Sequence, residues 1–385
     1  MKYVTFLLFF IVFIGIYTLG NWYIYNRGMQ ALPIGTLRSL FPWIFWITAA
    51  TFIAGQFLER GSFTYFSQIV TYIGSYWLVF AWYALLMVIA IDLIRVLNHY
   101  LTFIPENIST TVFSGTVLFS VVSGIALTLV LAGAINAYIP KIRKVNITID
   151  KALENEKEIK VALVSDIHMG FIIGNNRTSR LVNRLNKANP DLILLAGDIV
   201  DHNPNPVIRK DLGRHYTRLN PKYGIYAVTG NHEYIGTPKL SIDYLSNFGI
   251  NYVRDSTVVL ENGITIIGRE DREKPRFTFT RRKTVAELIE HVDKTKPIFL
   301  MDHQPVEYDR VESEGIDLMV SGHTHKGQFW PFGYITRRVY ELDWGYKKKG
   351  NTNFYVSSGY GTWGPPVRIA SRSEIVIFNI KFQNE

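Results

Sequence analysis

Leu192-Ile193-Leu194-Leu195-Ala196-Gly197-Asp198-Ile199-Val200-Asp201 is the stretch that decides how this chain folds. Five apolar residues run unbroken to a glycine, and two carboxylates follow three positions apart. A short apolar run closed by a turn residue is the pattern of a strand buried on both faces. In layered α/β domains ligands bind beyond the strand ends, so the polar residues that close such a strand are where chemistry is sought. The same arrangement recurs four times. Lys160 to Ser165 runs into Asp166-Ile167-His168, and Tyr223 to Thr229 into Gly230-Asn231-His232-Glu233. Ile298 to Met301 runs into Asp302-His303-Gln304-Pro305, and Leu318 to Ser321 into Gly322-His323-Thr324-His325. Five of the nine histidines stand in these segments. Between the strands, Leu181, Val182 and Leu185 mark an amphipathic helix from Thr178 to Lys187, ended by Asn189-Pro190. A second helix is read at Ser241 to Phe248, and further strands at Ile250 to Val253, Gly263 to Gly268 and Phe354 to Ser357.

The rest of the chain is of another kind. Its 385 residues contain no cysteine, which excludes disulfides, thiolate nucleophiles, iron–sulfur clusters and cysteine-held zinc. Any metal must rest on His, Asp, Glu or Asn. Hydrophobic residues make up 48% and charged residues 19%, a balance suited to a partly membrane-embedded chain. Of 41 basic and 32 acidic residues, positions 1–140 hold five and three, leaving 36 and 29 for 141–385.

Uncharged intervals run from 3 to 26, 39 to 58, 61 to 91 and 107 to 140. Each is long enough for a helix to cross a bilayer, which takes about 20 residues. Four spans are therefore expected, near 3–25, 40–58, 69–91 and 112–136, with Trp22, Tyr23, Tyr25, Trp43 and Trp46 at headgroup level. A cleaved signal peptide does not fit the first span, because no small-x-small site follows it. Glu59 and Asp92 fall at span ends, so the spans carry no ion pathway and a transporter is not indicated. Lys2, Arg60, Lys141, Arg143 and Lys144 on the side of the termini outnumber Arg27, Arg38 and Arg95 on the other. That bias places the region from 141 onward in the cytoplasm. The domains expected are a four-helix transmembrane region over 1–140 and a water-soluble α/β layered domain over 141–385, entered by a half-buried strand from Lys141 to Asp150. Arg281-Arg282-Lys283 and Lys347-Lys348-Lys349 read as solvated surface. Aromatics interleaved with basic residues are not evident, so no nucleic-acid partner is expected, and no obligate protein partner is apparent.

In their order, the five strand-end segments resemble the signature of the calcineurin-like metallophosphoesterases: DxH, GDxxD, GNH[DE], a lone His, then GHxH. The resemblance runs from Lys160 to the carboxyl terminus. Asn136-Ala137 before Pro140, Lys326-Gly327-Gln328, Ser358-Gly359-Tyr360-Gly361, Arg368 and Glu374-Ile375 are similar to the bacterial membrane-associated subgroup, which includes phosphodiesterases and lipid pyrophosphohydrolases.

The resemblance implies a four-layer α/β/β/α catalytic domain and two divalent metal ions. Asp166, His168 and His325 would hold one ion and Asn231, His303 and His323 the other, with Asp198 bridging. Oxygen and imidazole ligands suit manganese, iron, zinc or magnesium. The family chemistry is attack on phosphorus by a hydroxide activated between the ions. His232 would stabilise the developing charge or protonate the leaving oxygen, and Asp201 would orient it. Two departures matter. His202 stands where protein phosphatases of this family carry a phosphate-gripping arginine, and Lys326 replaces a common glycine. Arg368 is the leading candidate contact to a substrate phosphate, and Lys326 either meets that phosphate too or points to solvent. His99, His215 and His291 match no motif, and Trp330 and Trp363 line the site mouth or pack inside.

The expected function is membrane-anchored hydrolysis of a phosphodiester or pyrophosphate, in a lipid or other phosphorylated substrate at the bilayer. The alternatives are a nucleotide phosphodiesterase or nuclease of the same fold, and a non-catalytic sensor or scaffold with a structural metal site.

Overall fold

The computed structural model describes residues 2–61, 64–105, 114–153 and 156–383. The chain divides into two compact units, Met1–Gly133 and Ala134–Glu385.

The first unit is helical: α1 (Lys2–Ala31), α2 (Thr36–Arg60), α3 (Tyr65–Leu101) and most of α4 (Gly115–Tyr138). α2, α3 and α4 are each long and apolar enough to cross a membrane. α3 begins at a reciprocal cap in which Ser67 N donates to Thr64 Oγ1 and Thr64 N to Ser67 Oγ. Its buried face is built largely of small residues, among them Ser67, Thr71, Gly74, Ser75, Ala81 and Ala84. Any Cβ at Gly74 would overlap the Phe52 backbone, so α2 and α3 touch main chain to main chain. Tyr17 and Trp77 donate across helices to Ala49 O and Asn21 Oδ1, at 2.7 and 3.0 Å. Asp92, expected at a span end, lies well inside α3 and pairs there with Arg27 at 2.8 Å. The basic partner makes the longer helix tolerable, because a paired carboxylate costs far less in an apolar medium than a lone one.

The second unit is a mixed α/β domain with two six-stranded sheets. Its strands are β1 (Lys141–Ile149), β2 (Glu158–Val164), β3 (Leu192–Ala196), β4 (Ile225–Val228), β5 (Ile250–Tyr252), β6 (Ser256–Val259), β7 (Thr265–Gly268), β8 (Ile298–Met301), β9 (Leu318–Ser321), β10 (Gly345–Lys349), β11 (Thr352–Val356) and β12 (Glu374–Phe382). The orders are β1-β12-β2-β3-β4-β5 and β10-β11-β9-β8-β7-β6. Leu163 and Leu194 of one sheet share a buried cluster with Ile266, Phe299 and Val320 of the other. Leu181, Val182 and Leu185 of α5 (Asn175–Ala188) pack against Val164 and Leu195 of the first sheet. α5 stops where Asn189 takes a left-handed backbone, φ 48°, before Pro190.

β2, β3 and β4 are parallel, as are β7, β8, β9 and β11. The carboxyl ends of β2, β3 and β4 therefore open in one direction within the first sheet, and those of β8 and β9 in one direction within the second. The compositional break at Pro140 lies a few residues after the structural one. Asn136 Nδ2 donates to Arg368 O and Ser371 O at 3.1 and 2.6 Å, and Ala137 O accepts from Arg177 and Ser373. These bonds make the last turn of α4 part of the second unit.

Candidate metal centre

Each strand-end segment turns sharply, and the strain is visible in the backbone. Asp166, His168, Asp198, His323 and His325 all have positive φ, between 49° and 72°. Non-glycine residues keep that conformation only where their surroundings hold them. Here the loops hold one another: Asp166 N donates to Gly197 O and His168 N to Asp198 O, at 3.0 and 2.9 Å. Gly197, at φ 83°, leaves no room for a Cβ because His303 lies against it, and Gly230 does the same for Asp198.

All seven expected ligands converge. His168 Nε2 lies 3.2 Å from His325 Nε2, which lies 3.3 Å from Asp166 Oδ1. On the other side Asn231 Oδ1 is 2.8 Å from His323 Nδ1 and 3.2 Å from His303 Nε2. Asp198 reaches both groups, its Oδ2 being 3.2 Å from His303 Nε2 and 3.8 Å from His168 Nε2. His232 stands at the edge of this cluster, its ring 4.5 Å from that of His168. Its Nδ1 is 2.7 Å from Asp201 Oδ1.

Charge decides what such a cluster can hold. Asp166 and Asp198 are buried close together, and among the described residues neither is in ion-pair contact with a lysine or arginine, although Arg368 lies within electrostatic reach of Asp166. Buried carboxylates without a cation are costly. Burial works against ionisation of Asp198, but His303 and His232 hold it well below the usual carboxylate range. Burial pushes His323 down to about 3, and burial with the charge of Arg368 pushes His325 well below the ordinary histidine range. Neutral rings with free lone pairs are the ligand form of histidine. Burial lowers His232 too, but Asp198 and the Asp201 hydrogen bond outweigh it and hold the imidazole up at about 9. Two carboxylates, an amide oxygen and four imidazoles gathered in one space, with no lysine or arginine in ion-pair contact with either carboxylate among the described residues, are a donor set that fits divalent cations.

Neither of the two expected phosphate contacts is turned toward the seven donors as a substrate contact. Arg368 is fully buried, and its guanidinium donates to Gly361 O, Ser371 Oγ, His325 O and His325 Nδ1, the last at 3.0 Å. It braces His325 and has no surface to offer a substrate, which corrects the expectation. Lys326 lies 3.6 Å from the ring centre of Trp344, in a cavity lined by none of the seven donors. Arg282 was expected on the solvated surface; it is nearly buried, and with Arg269 it pairs with the fully buried Asp302 beside His303. His202 Nδ1 lies 3.1 Å from Asp201 Oδ1, while His215 contacts Asn175. Trp330 and Trp363 are exposed.

Glu233 is the participant that sequence reasoning left without a role. Its buried carboxylate accepts from the backbone N–H groups of Asp198, Ile199, Val200 and Gly230, at 2.7 to 3.1 Å. One side chain thus ties two ligand loops together. The available signal was an acid at the third position of a short helix, where it can cap the helix start.

The sequence model of the calcineurin-like phosphoesterases matches residues 159–327. An uncharacterized metallophosphoesterase of Aquifex aeolicus is 34% identical over 260 residues, which are 66% of this chain and 97% of the relative. One from Campylobacter jejuni is 28% identical over 98% of this chain and 99% of its own length. A transmembrane protein with metallophosphoesterase domain from Danio rerio is 29% identical over 72% of this chain, and the chain spans 65% of that relative. With the ligand pattern converged in space, the chain belongs to the calcineurin-like phosphoesterase family, metal-dependent hydrolases of phosphoesters.

Proposed function

We propose that this protein is a membrane-anchored dinuclear-metal phosphoesterase that hydrolyses a phosphodiester or pyrophosphate carried by a lipid or a lipid-linked group. The observation that carries the reading is the position of Asp198, within reach of two groups of donors at once. Asp166, His168 and His325 form one site and Asn231, His303 and His323 the other. Two divalent cations held there would lower the pKa of a water and offset charge on the phosphoryl oxygens. His232, held protonated by Asp198 and Asp201 against its burial, supplies a proton to the leaving oxygen or hydrogen-bonds the charge that develops on phosphorus. Arg368 and Glu233 act as positioning residues, through His325 and the Asp198 loop.

Four spans, counting α1, anchor the 1–140 region, and 141–385 forms an α/β/β/α catalytic domain facing the cytoplasm. Apolar clusters between the sheets and on the outer face of each support the layering. The basic excess at Lys141, Arg143 and Lys144 supports the orientation. Full-length protein supplied with Mn²⁺ is expected to cleave bis-p-nitrophenyl phosphate, and Asp198→Asn to remove that activity. Folded protein that turns over no diester with any divalent metal contradicts the reading.

A further inference from the structure

A cavity of about 240 Å³ in the second unit belongs to none of the chemistry above. Arg143, Lys326, Arg372, Trp344, Ser358 and Asn136 line it. Trp344 organises the wall: Lys326 Nζ lies over its ring at 3.6 Å from the centre, and Arg143 Cζ at 4.5 Å. The buried Glu374 fixes this arrangement from below, accepting from Arg143 Nε and, at 3.2 Å, from Trp344 Nε1. Glu374 thus answers Arg143, while Lys326 and Arg372 have no carboxylate in ion-pair contact among the described residues. Asp343 and Arg337 lie within electrostatic reach of Lys326 and act in opposite senses. The cavity therefore presents an excess of positive charge on a braced frame, as an anion site requires.

Its depth indicates the source of the anion. Asn136 belongs to the last turn of α4, an apolar helix of 24 residues and so about 36 Å long. A helix of that length emerges from the hydrocarbon at its ends, at the level of lipid phosphates. Tyr138 follows at the same level, with Arg180 stacked 3.8 Å over its ring.

We propose that the cavity framed by Arg143, Lys326, Arg372 and Trp344 binds the phosphate of an anionic phospholipid headgroup, as a site separate from the metal centre. The proposal rests on α4 spanning the bilayer and is independent of hydrolysis. The test uses full-length protein, delipidated in detergent with EDTA present so that the metal centre is silent. Native mass spectrometry then measures retained phosphatidylglycerol and phosphatidylcholine. Wild type is expected to retain phosphatidylglycerol preferentially. The double variant K326Q/R372Q is expected to lose about tenfold of that retention, and K326R/R372K, which keeps both charges, to preserve it. Thermal melting in the same detergent establishes that each variant is folded. Inorganic phosphate at matched concentration is expected not to displace the lipid. Equal retention of the two lipids by wild type, or equal phosphatidylglycerol retention by wild type and the glutamine pair, overturns the proposal. Displacement by inorganic phosphate also overturns it, and assigns the cavity to a soluble phosphate.

Discussion

The two units solve opposite burial problems with the same amino acids. In the helical unit many large apolar side chains point outward, as Trp43, Ile47, Leu93 and Leu97 do, and serine, threonine, glycine and alanine make up most of the buried face of α3. In the α/β unit the large apolar residues are inside, and what distinguishes its centre is polar: two carboxylates and four histidines, all but fully buried, at the strand ends. Lipid does not reward burying leucine, so helix contacts depend on close backbone approach. Water does reward it, and the stability won by the sheets offsets strained, charged loops at their edge.

Substitutions can break this comparison in graded steps. The largest effect belongs to Asp198→Asn, which removes the carboxylate that reaches both donor groups. Diester hydrolysis is expected to fall by at least about a thousandfold, several kcal/mol of barrier, with bound metal lost in elemental analysis and the fold kept by circular dichroism. His232→Ala removes none of the seven expected ligands. It is expected to lower kcat by about a hundredfold or more while metal content stays at the wild-type level, so a parallel loss of metal would contradict its assignment to proton supply.

Next comes Glu233→Ala, which strands four buried N–H groups and is expected to cost about 3 kcal/mol of stability. Chemical denaturation of the full chain, followed by a probe in the α/β unit, measures it. A change below about half a kcal/mol would remove the loop clamp from the account. The smallest expected effect is in the helical unit. Gly74→Ala forces a methyl into the Phe52 backbone and is expected to cost about 1 to 3 kcal/mol. It should appear as earlier melting of the helices in detergent, with kcat on a soluble diester unchanged. Loss of diester turnover instead would show that the two units are not separable in this way.

The parts of the molecule that could be read from sequence are those governed by local rules. β9 falls on Leu318–Ser321 as expected, and α5 overruns its expected bounds by three residues at the start and one at the end, because its cap lies at Gly174 and its stop at Asn189. The seven residues that converge at the strand ends were legible because the turns that carry them need fixed residue types. β12 was not read as a strand, since its slot between β1 and β2 is set by pairing with residues more than two hundred positions away. The role of Arg368 was misread for a related reason. Arginine in a glycine-rich loop looks like an anion contact, and only the tertiary path of Gly359 to Ser371 shows its donors turned inward. Lys326, next to His325, stands where the resemblance has a glycine, and the sequence leaves open whether it meets a substrate phosphate or points to solvent. Its left-handed backbone, φ 51°, instead carries the side chain onto Trp344.

The central claim is that seven side chains from five strand ends hold a pair of cations on either side of Asp198. Crystals of the full chain grown with Mn²⁺ and measured at the manganese absorption edge test it directly. Two anomalous peaks about 3.5 to 4 Å apart, one beside Asp166, His168 and His325 and one beside Asn231, His303 and His323, are the expected result. A single peak remote from Asp198, or none in protein that hydrolyses diesters, would contradict it.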